Sequence, residues 1–478
     1  MRRAGEMSLT HTLAQPGSRP ELLWRLETPV GLATIFALGF VIRVILAPRF
    51  GFHGDLRLFQ VWTGELVSAG THHFYAQGGV QDYPPADLYV LWLTSKISAT
   101  PGYVLLKLPT ILADLALAWI AGTLAVRIAS RSLNERWPVR ALVAAGVLFN
   151  PAVLAVGAVW GQTDAVPAAF VLGSLLLLFT GPRSLRREVA AFLLFAVAAS
   201  MKPQSSFVLP VMLYALYRRY LHGRSRPELF DGALGIAAAC LPAVVVWSVS
   251  GLPFGLGPIA LFRFYRHWGS FYPVTSANAF NFWGTIAFWR NDSTGDNVLH
   301  IAGISALHFG YLIVVAGIVY VMWRAHRAIE RGANEALALT VASATISLLA
   351  FTFLTRMHER YMFLALATLA PLVVLRSFRY AYAILSALFV INLWYPYAYF
   401  NSQWHVEDLH FQPLFGWIFG DFTNDTWQKK VWSVAVTLVT LGVAWLSFRW
   451  SELSTGLEQR PMSTARTTPV SGLNRLRP

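Results

Sequence analysis

Bilayer-length apolar runs recur along the whole chain, and they limit its possible folds more than any other feature. Eight such runs lie at residues 29–47, 103–126, 139–160, 232–250, 300–322, 336–355, 380–396 and 431–448. In hydrocarbon every backbone polar group must find its partner within the protein, so runs of this length read as helices. Four shorter runs, at 165–180, 188–200, 205–217 and 361–375, raise the expected number of crossings to about 12, at about 20 residues per full span. Composition agrees, since 55% of residues are hydrophobic and only 13% charged, where a soluble chain carries roughly a quarter. The expected fold is therefore an all-α polytopic membrane protein, with residues 29–450 as the transmembrane unit. A polar arm (1–28) precedes it, and a Ser/Thr/Arg/Pro-rich tail (451–478) with a disordered composition follows. The first run lacks a small-residue cleavage site, which reads as a retained helix and not a signal peptide. The lone Cys240 excludes an intrachain disulfide framework and a paired-cysteine metal site.

A formal charge of +14 raises the question of nucleic acid, and the placement of the charge answers it. Arginines gather at 127–140, 183–187, 218–226, 324–331 and 376–379, in the turns that alternate crossings bring to one side. That is the positive-inside pattern, which puts both termini in the cytoplasm and accounts for the charge without nucleic acid. The basic turns also suit anionic membrane lipids. Segments 49–102, 251–299, 355–361 and 397–430 then face the exterior. The first is a large loop in which 88–99 is too short to span and reads as an interfacial or re-entrant helix. An arginine-rich, lysine-poor chain of this kind suits a bacterial inner membrane.

Six polar segments lie at that outer boundary. Gly54-Asp55 opens the first loop, where Asp55 is either a solvated carboxylate or a general base held beside an acceptor hydroxyl. In Asp82-Tyr83-Pro84-Pro85 the prolines hold the chain extended and permit a helix to start, so Asp82 is either a cap or an aimed carboxylate. Trp160-Gly161-Gln162-Thr163-Asp164 reads as a capping turn or as part of a site containing Gln162 and Asp164. Lys202, at a helix break before Pro203, either snorkels to water or offers a point charge to a phosphate. Asn278 and Asn281, three apart and followed by Trp283, are expected to share a helical face and bind hydroxyls. Finally, Arg356-Met357-His358-Glu359-Arg360 sets two arginines and a histidine against one glutamate. The net positive charge at a membrane boundary suits a phosphate.

In this order, from about Arg43 to Tyr361, these segments resemble the GT-C superfamily of polyprenyl-phosphate-sugar-dependent glycosyltransferases. The resemblance extends to bacterial mannosyltransferases related to the PIG-V enzymes of GPI-anchor synthesis. It implies Asp55 as catalytic base and Asp82 as a supporting or acceptor-orienting carboxylate. His358 and Arg360 become ligands of the carrier phosphate, with Arg356 and Lys202 as helpers. Tyr83, Gln162, Asp164, Asn278, Asn281 and Trp283 become substrate-binding residues. The first loop lacks the adjacent acidic pair of several relatives, so no metal or other cofactor is expected to be required, although Asp55 and Asp82 could share an ion.

The implied activity is inverting transfer of a hexose, mannose by resemblance, from a polyprenyl-phosphate donor to a lipid, glycan or protein acceptor at the outer face. A lipid-linked glycan polymerase or ligase is one alternative. A transporter or flippase for a polyprenyl-linked sugar is another, for which Arg43, Lys107 and Asp114 would mark a path through the membrane. The absence of an evident internal repeat disfavours transporters built from two related halves.

Overall fold

A computed structural model describes residues 21–129, 131–403, 412–422 and 425–457. Among the described residues seven helices are long and apolar enough to cross a membrane: Pro29–Leu46, Tyr103–Ile128, Arg226–Val249, Ala306–Glu330, Glu335–Phe353, Arg376–Gln403 and Trp427–Leu457. A broken pair, Val139–Leu148 and Pro151–Trp160, bent by 47°, makes an eighth crossing when taken as one span. Pro151 cannot donate to the preceding turn and Asn150 caps the new helix, its side chain accepting from the Ala152 amide at 2.8 Å. The four shorter expected crossings are also helical, at Ala165–Phe179, Leu185–Met201, Leu209–Tyr220 and Phe363–Leu369, the last extended by the 3-10 turn Ala370–Val374. The chain is thus an all-α integral membrane protein.

Glu335–Phe353 is the axis of the bundle, with 94% of its apolar window buried, against 17% for Pro29–Leu46 and for Arg226–Phe254 at the periphery. Alanine and serine at Ala338, Ala342, Ser343, Ala344 and Ser347 allow neighbouring helices close to that axis. At one end of the bundle the basic turns meet acids: Arg218 pairs with Glu330, and Arg219 pairs with Glu188 at 2.8 Å.

The first loop, at the opposite end, folds on a small core of its own. Helices His53–Ser68 and Pro85–Ser95 close over Leu56, Phe59, Trp62, Phe74, Leu88 and Phe254. The interfacial helix expected at 88–99 is this second helix, begun earlier by Pro84-Pro85.

Three differences from expectation have simple causes. Residues 300–305 form a two-strand hairpin (His300–Ile301 with Ile304–Ser305), so the crossing begins at Ala306. Asn278 and Asn281 do not share a helix, because Ser276–Ala277 is a strand paired in parallel with Met357–His358. The last helix runs on to Leu457, past the expected start of the tail. Of the N-terminal arm, 1–20 lies outside the described residues, as does 458–478 of the tail.

Candidate active site

The first-loop core fixes where Asp55 points. Gly51, Phe52 and His53 are clamped at the start of their helix: the Gly51 amide donates to the Tyr397 hydroxyl at 3.1 Å, and the Asn401 side chain accepts from the His53 amide at 3.2 Å. The Phe52 amide donates to the Trp160 carbonyl at 3.0 Å, and the two rings stack with centroids 4.4 Å apart. Asp55, in the first helical turn, then receives two donors on Oδ2, from Trp160 Nε1 at 2.8 Å and from Gln162 Nε2. Trp160 ends a π-helical turn, Ala155–Trp160, and Gly161 follows with φ of 99°, a left-handed conformation that turns Gln162 back toward the loop.

Gln162 is the hub. It is fully buried, and its Oε1 accepts from the Tyr83 hydroxyl at 2.9 Å and from Lys202 Nζ at 3.5 Å. Lys202 pairs with Asp164 at 3.0 Å, and its ammonium lies 5.8 Å from the Tyr83 ring centroid. Pro203 disfavours helix at the preceding residue, so Lys202 is extended between Leu185–Met201 and the 3-10 turn Pro203–Val208. Asp55, Tyr83, Gln162, Asp164 and Lys202 thus form one connected network. A small cavity beside it is lined by Asp164, Lys202, Ser205 and Tyr361.

Arg360 joins the network electrostatically. Burial opposes its charge, yet Tyr83, Glu359, Tyr361 and Asp55 hold its pKa well above the ordinary value, and it pairs with Glu359 at 3.1 Å. Burial raises the Asp82 pKa; Arg360 and Lys202 pull it down, and Asp55 adds to the rise. Burial, with Arg360 and Lys202, drives the His358 pKa well below normal, so its imidazole is neutral at physiological pH. Asp82 Oδ1 and Arg360 Nε are buried with no hydrogen-bond partner among the described residues. Unpaired groups of both signs in one buried place are costly, and a polar ligand would satisfy them.

Asp87 belongs here and was not singled out from the sequence. It is 2% exposed, accepts from Thr163 Oγ1 at 3.3 Å, leaves Oδ1 unpartnered, and has its pKa raised by burial to about 6.

Four expected ligands lie in other networks. Arg356 is locked to the fully buried Asp292 by Nε to Oδ2 at 2.8 Å and Nη2 to Oδ1 at 3.1 Å, with Ser293 and the Gly269 carbonyl as further acceptors. Asn278 accepts from Trp289 Nε1 at 2.9 Å, and its carbonyl accepts from Asn392 at 2.7 Å. Asn281 binds the Phe351 carbonyl at 3.3 Å and the Gly284 amide at 3.2 Å. Trp283, fully buried, donates to the Phe353 carbonyl at 2.8 Å. These residues knit the 275–292 segment to the end of the axial helix; the packing of two backbones, invisible in a linear motif, gives them that work.

Arg43, Lys107 and Asp114 form buried pins. Arg43 Nε pairs with Asp114 at 2.7 Å with both side chains fully buried, and Lys107 Nζ donates to the Ala47, Phe50, Ala158 and Val159 carbonyls. Among the described residues no group of three or more His, Cys, Asp or Glu side chains is arranged to hold a metal ion. The positive charge beside the carboxylates comes from Arg360 and Lys202.

The chain matches a sequence model of the family described as GPI transamidase subunit PIG-U over residues 67–255, less than half its length. The matched family is PIG-U and not the PIG-V relation expected from the motifs. No curated protein matches the chain. Similar solved structures include ArnT from Cupriavidus metallidurans bound to undecaprenyl phosphate, at 14% identity and a TM-score of 0.45, covering 89% of this chain and 78% of that one. The Archaeoglobus fulgidus oligosaccharyltransferase tethered with an acceptor peptide is similar at 14% identity and a TM-score of 0.40, covering 90% of this chain and 56% of that one.

Proposed function

We propose that the protein is a membrane glycosyltransferase of the GT-C kind. It moves a hexose, mannose by motif resemblance, from a polyprenyl-phosphate carrier to a lipid, glycan or protein acceptor. The observation that carries this reading is a carboxylate oriented by two donors, Trp160 and Gln162, with buried cations beside it. Asp55 takes the proton of the acceptor hydroxyl as that oxygen bonds to the anomeric carbon from the face opposite the carrier. The bond from the anomeric carbon to the phosphate oxygen breaks, its electron pair leaves with the lipid phosphate, and configuration inverts. Arg360 and Lys202 stabilise the charge growing on that phosphate, and neutral His358 offers it a ring N–H. Asp82 and Tyr83 orient the acceptor. With these groups present the reaction needs no metal. We place the site at the outer face of a bacterial inner membrane, with cytoplasmic termini, because the basic turns lie at the opposite end of the bundle.

The PIG-U match supports a second reading, a subunit that holds a lipid-linked glycan within a larger assembly without transferring it. Proteoliposomes given radiolabelled polyprenyl-phosphate-mannose separate the two. Transfer of label to a more polar product by wild type, falling about 10²–10⁴-fold in Asp55→Asn while carrier binding persists, is the expected result. Undiminished turnover in Asp55→Asn would overturn the base assignment. Binding without transfer of mannose, glucose or pentose donors would favour the subunit reading, and label crossing the bilayer still on its lipid would favour a transporter.

A further inference from the structure

A file of aromatic rings leads from the protein surface to the acidic cluster. Trp289 stands outermost, 43% exposed, with its centroid 6.2 Å from that of Tyr272, itself 38% exposed. Tyr272 lies 5.4 Å from the His358 ring, and His358 lies 5.3 Å from Tyr361 beside Lys202 and Asp164. The inner end of Tyr272 is already within the site's field, since Asp82, Arg360 and Asp55 all act on its hydroxyl. Exposed Phe271 and half-buried Trp268, 4.7 Å apart, widen the outer end.

The outermost ring is held in place at a cost. Trp289 has φ of 54°, a left-handed conformation that a bulky side chain adopts only when its surroundings impose it. Its amide donates to the Ser276 carbonyl at 3.1 Å and its indole to Asn278 Oδ1 at 2.9 Å, and Asn278 is itself left-handed at φ of 65°. A ring that merely settles into the headgroup layer needs no fixed orientation. One that must present a face does.

From this we infer that Trp289 is the stacking platform for a pyranose of the acceptor, with the Tyr272 ring standing nearly perpendicular to it at 81° as the wall of the same corner, so that the acceptor is a saccharide or carries one next to the hydroxyl that reacts. The inference rests on the transfer reading above and narrows its acceptor to a glycan. The C–H bonds on one face of a pyranose are weakly positive and lie against the negative face of an aromatic ring, while its hydroxyls point outward to polar groups. The platform has that composition: exposed Arg290 and half-buried Asn291 adjoin Trp289, and the Arg356–Asp292 pair is tied to the residues that follow Tyr272, through the Asp292 amide to the Pro273 carbonyl at 2.9 Å and the Arg356 amide to the Val274 carbonyl at 3.0 Å. A sugar seated there would lead inward along the file toward Asp82 and Asp55. The platform also explains Asn278, which contacts no sugar itself and holds the ring that does.

The test is saturation-transfer NMR on the purified full chain in detergent, with mannobiose and cellobiose as probes. Transfer to the C–H protons of one sugar face is expected in wild type, with binding about tenfold weaker in Trp289→Ala and in Tyr272→Leu and largely kept in Trp289→Phe. Asp55→Asn should bind the disaccharide as wild type does while failing to transfer, which separates the platform from the chemistry. Equal binding in Trp289→Ala and wild type, in protein of unchanged melting temperature, would overturn the platform. So would the absence of saturation transfer to either disaccharide in protein that still binds the carrier lipid.

Discussion

Arg356 and Arg360 are four residues apart in one short turn, and their surroundings give them opposite work. Arg356 meets the buried Asp292 with two parallel hydrogen bonds, so its charge is already compensated. Among the described residues Arg360 has only Glu359 as an ion-pair partner, and its buried Nε has no hydrogen-bond partner. Arg356→Ala should therefore cost about 3–5 kcal/mol of stability, because it strands the Asp292 carboxylate. The carrier lipid's affinity for the protein that stays folded should barely change. Arg360→Ala should weaken carrier binding at least about tenfold, as expected for loss of a charge-assisted contact to phosphate. Thermal melts and carrier-lipid titrations of the two variants check both, and the reverse pattern would exchange their roles. Asp87 gives a pH signature. Its pKa is about 6 in the fold, against roughly 3.9 in an unfolded chain. The folded state thus keeps a proton that the unfolded chain has released, a stabilisation fully present below the unfolded pKa and lost as pH rises through the folded one. The difference amounts to about 3 kcal/mol, and the raised Asp82 and Glu359 act in the same direction. Wild type should melt higher at pH 5 than at pH 7.5, and Asp87→Asn should flatten that slope; an unchanged slope would remove Asp87 from the account.

At the scale of the element, the broken crossing ending at Trp160 is what carries the hub to Asp55, the proposed base. Its Gly161 is left-handed, and a Cβ there would lie 2.7 Å from Leu56 Cδ2 and 3.0 Å from Lys107 Cε. Gly161→Ala should cost about 1–3 kcal/mol through backbone strain. It should also push the first-loop helix away, so that Asp55 loses its Trp160 and Gln162 donors and turnover falls further than stability does. Melting temperature and turnover measured on one preparation check this, and full turnover with lowered stability would detach the hub from catalysis. All twelve apolar runs were legible as helices because burial in lipid demands an unbroken apolar stretch, and that requirement is local. That Asp55, Asp82, Tyr83, Gln162, Asp164, Lys202, His358 and Arg360 gather in one place was legible, because polar residues at helix breaks have few reasons to be there; their roles belong to the proposal. Asn278, Asn281 and Trp283 lie in other networks for the converse reason: Asn281 and Trp283 bind backbone carbonyls some 70 residues away, at Phe351, Phe353 and Leu354, and Asn278 binds Trp289 and Asn392, partners with which no spacing pattern connects them. Asp87 went unread because a carboxylate in a first helical turn looks like ordinary dipole compensation.

On the scale of the whole molecule, Asp55, Lys202 and Arg360 gather at one end of the bundle while Arg43, Lys107 and Asp114 pin the interior, and this division favours the proposed transfer over transport. A transport path needs intramembrane charges that a passing ligand can reach and exchange with. Arg43 and Asp114 are fully buried against each other, and Arg43 Nη1 also donates to the Gly39 and Leu148 carbonyls at 3.0 and 2.9 Å, while Arg43 Nη2 and Asp114 Oδ1 have no hydrogen-bond partner among the described residues. Lys107 ties the end of the first crossing to the end of the broken one, where the site begins. Such a pair holds helices in register, and breaking one side of it leaves a charge with no compensation. Asp114→Asn should therefore destabilise the protein by about 3–5 kcal/mol. The double substitution Arg43→Met with Asp114→Leu, which replaces the pair by apolar volume, should recover most of that loss and with it turnover in the transfer assay. A path residue would behave otherwise. Charge removal there would abolish activity whether or not stability returned, so a stable, inactive double variant would favour the transport reading.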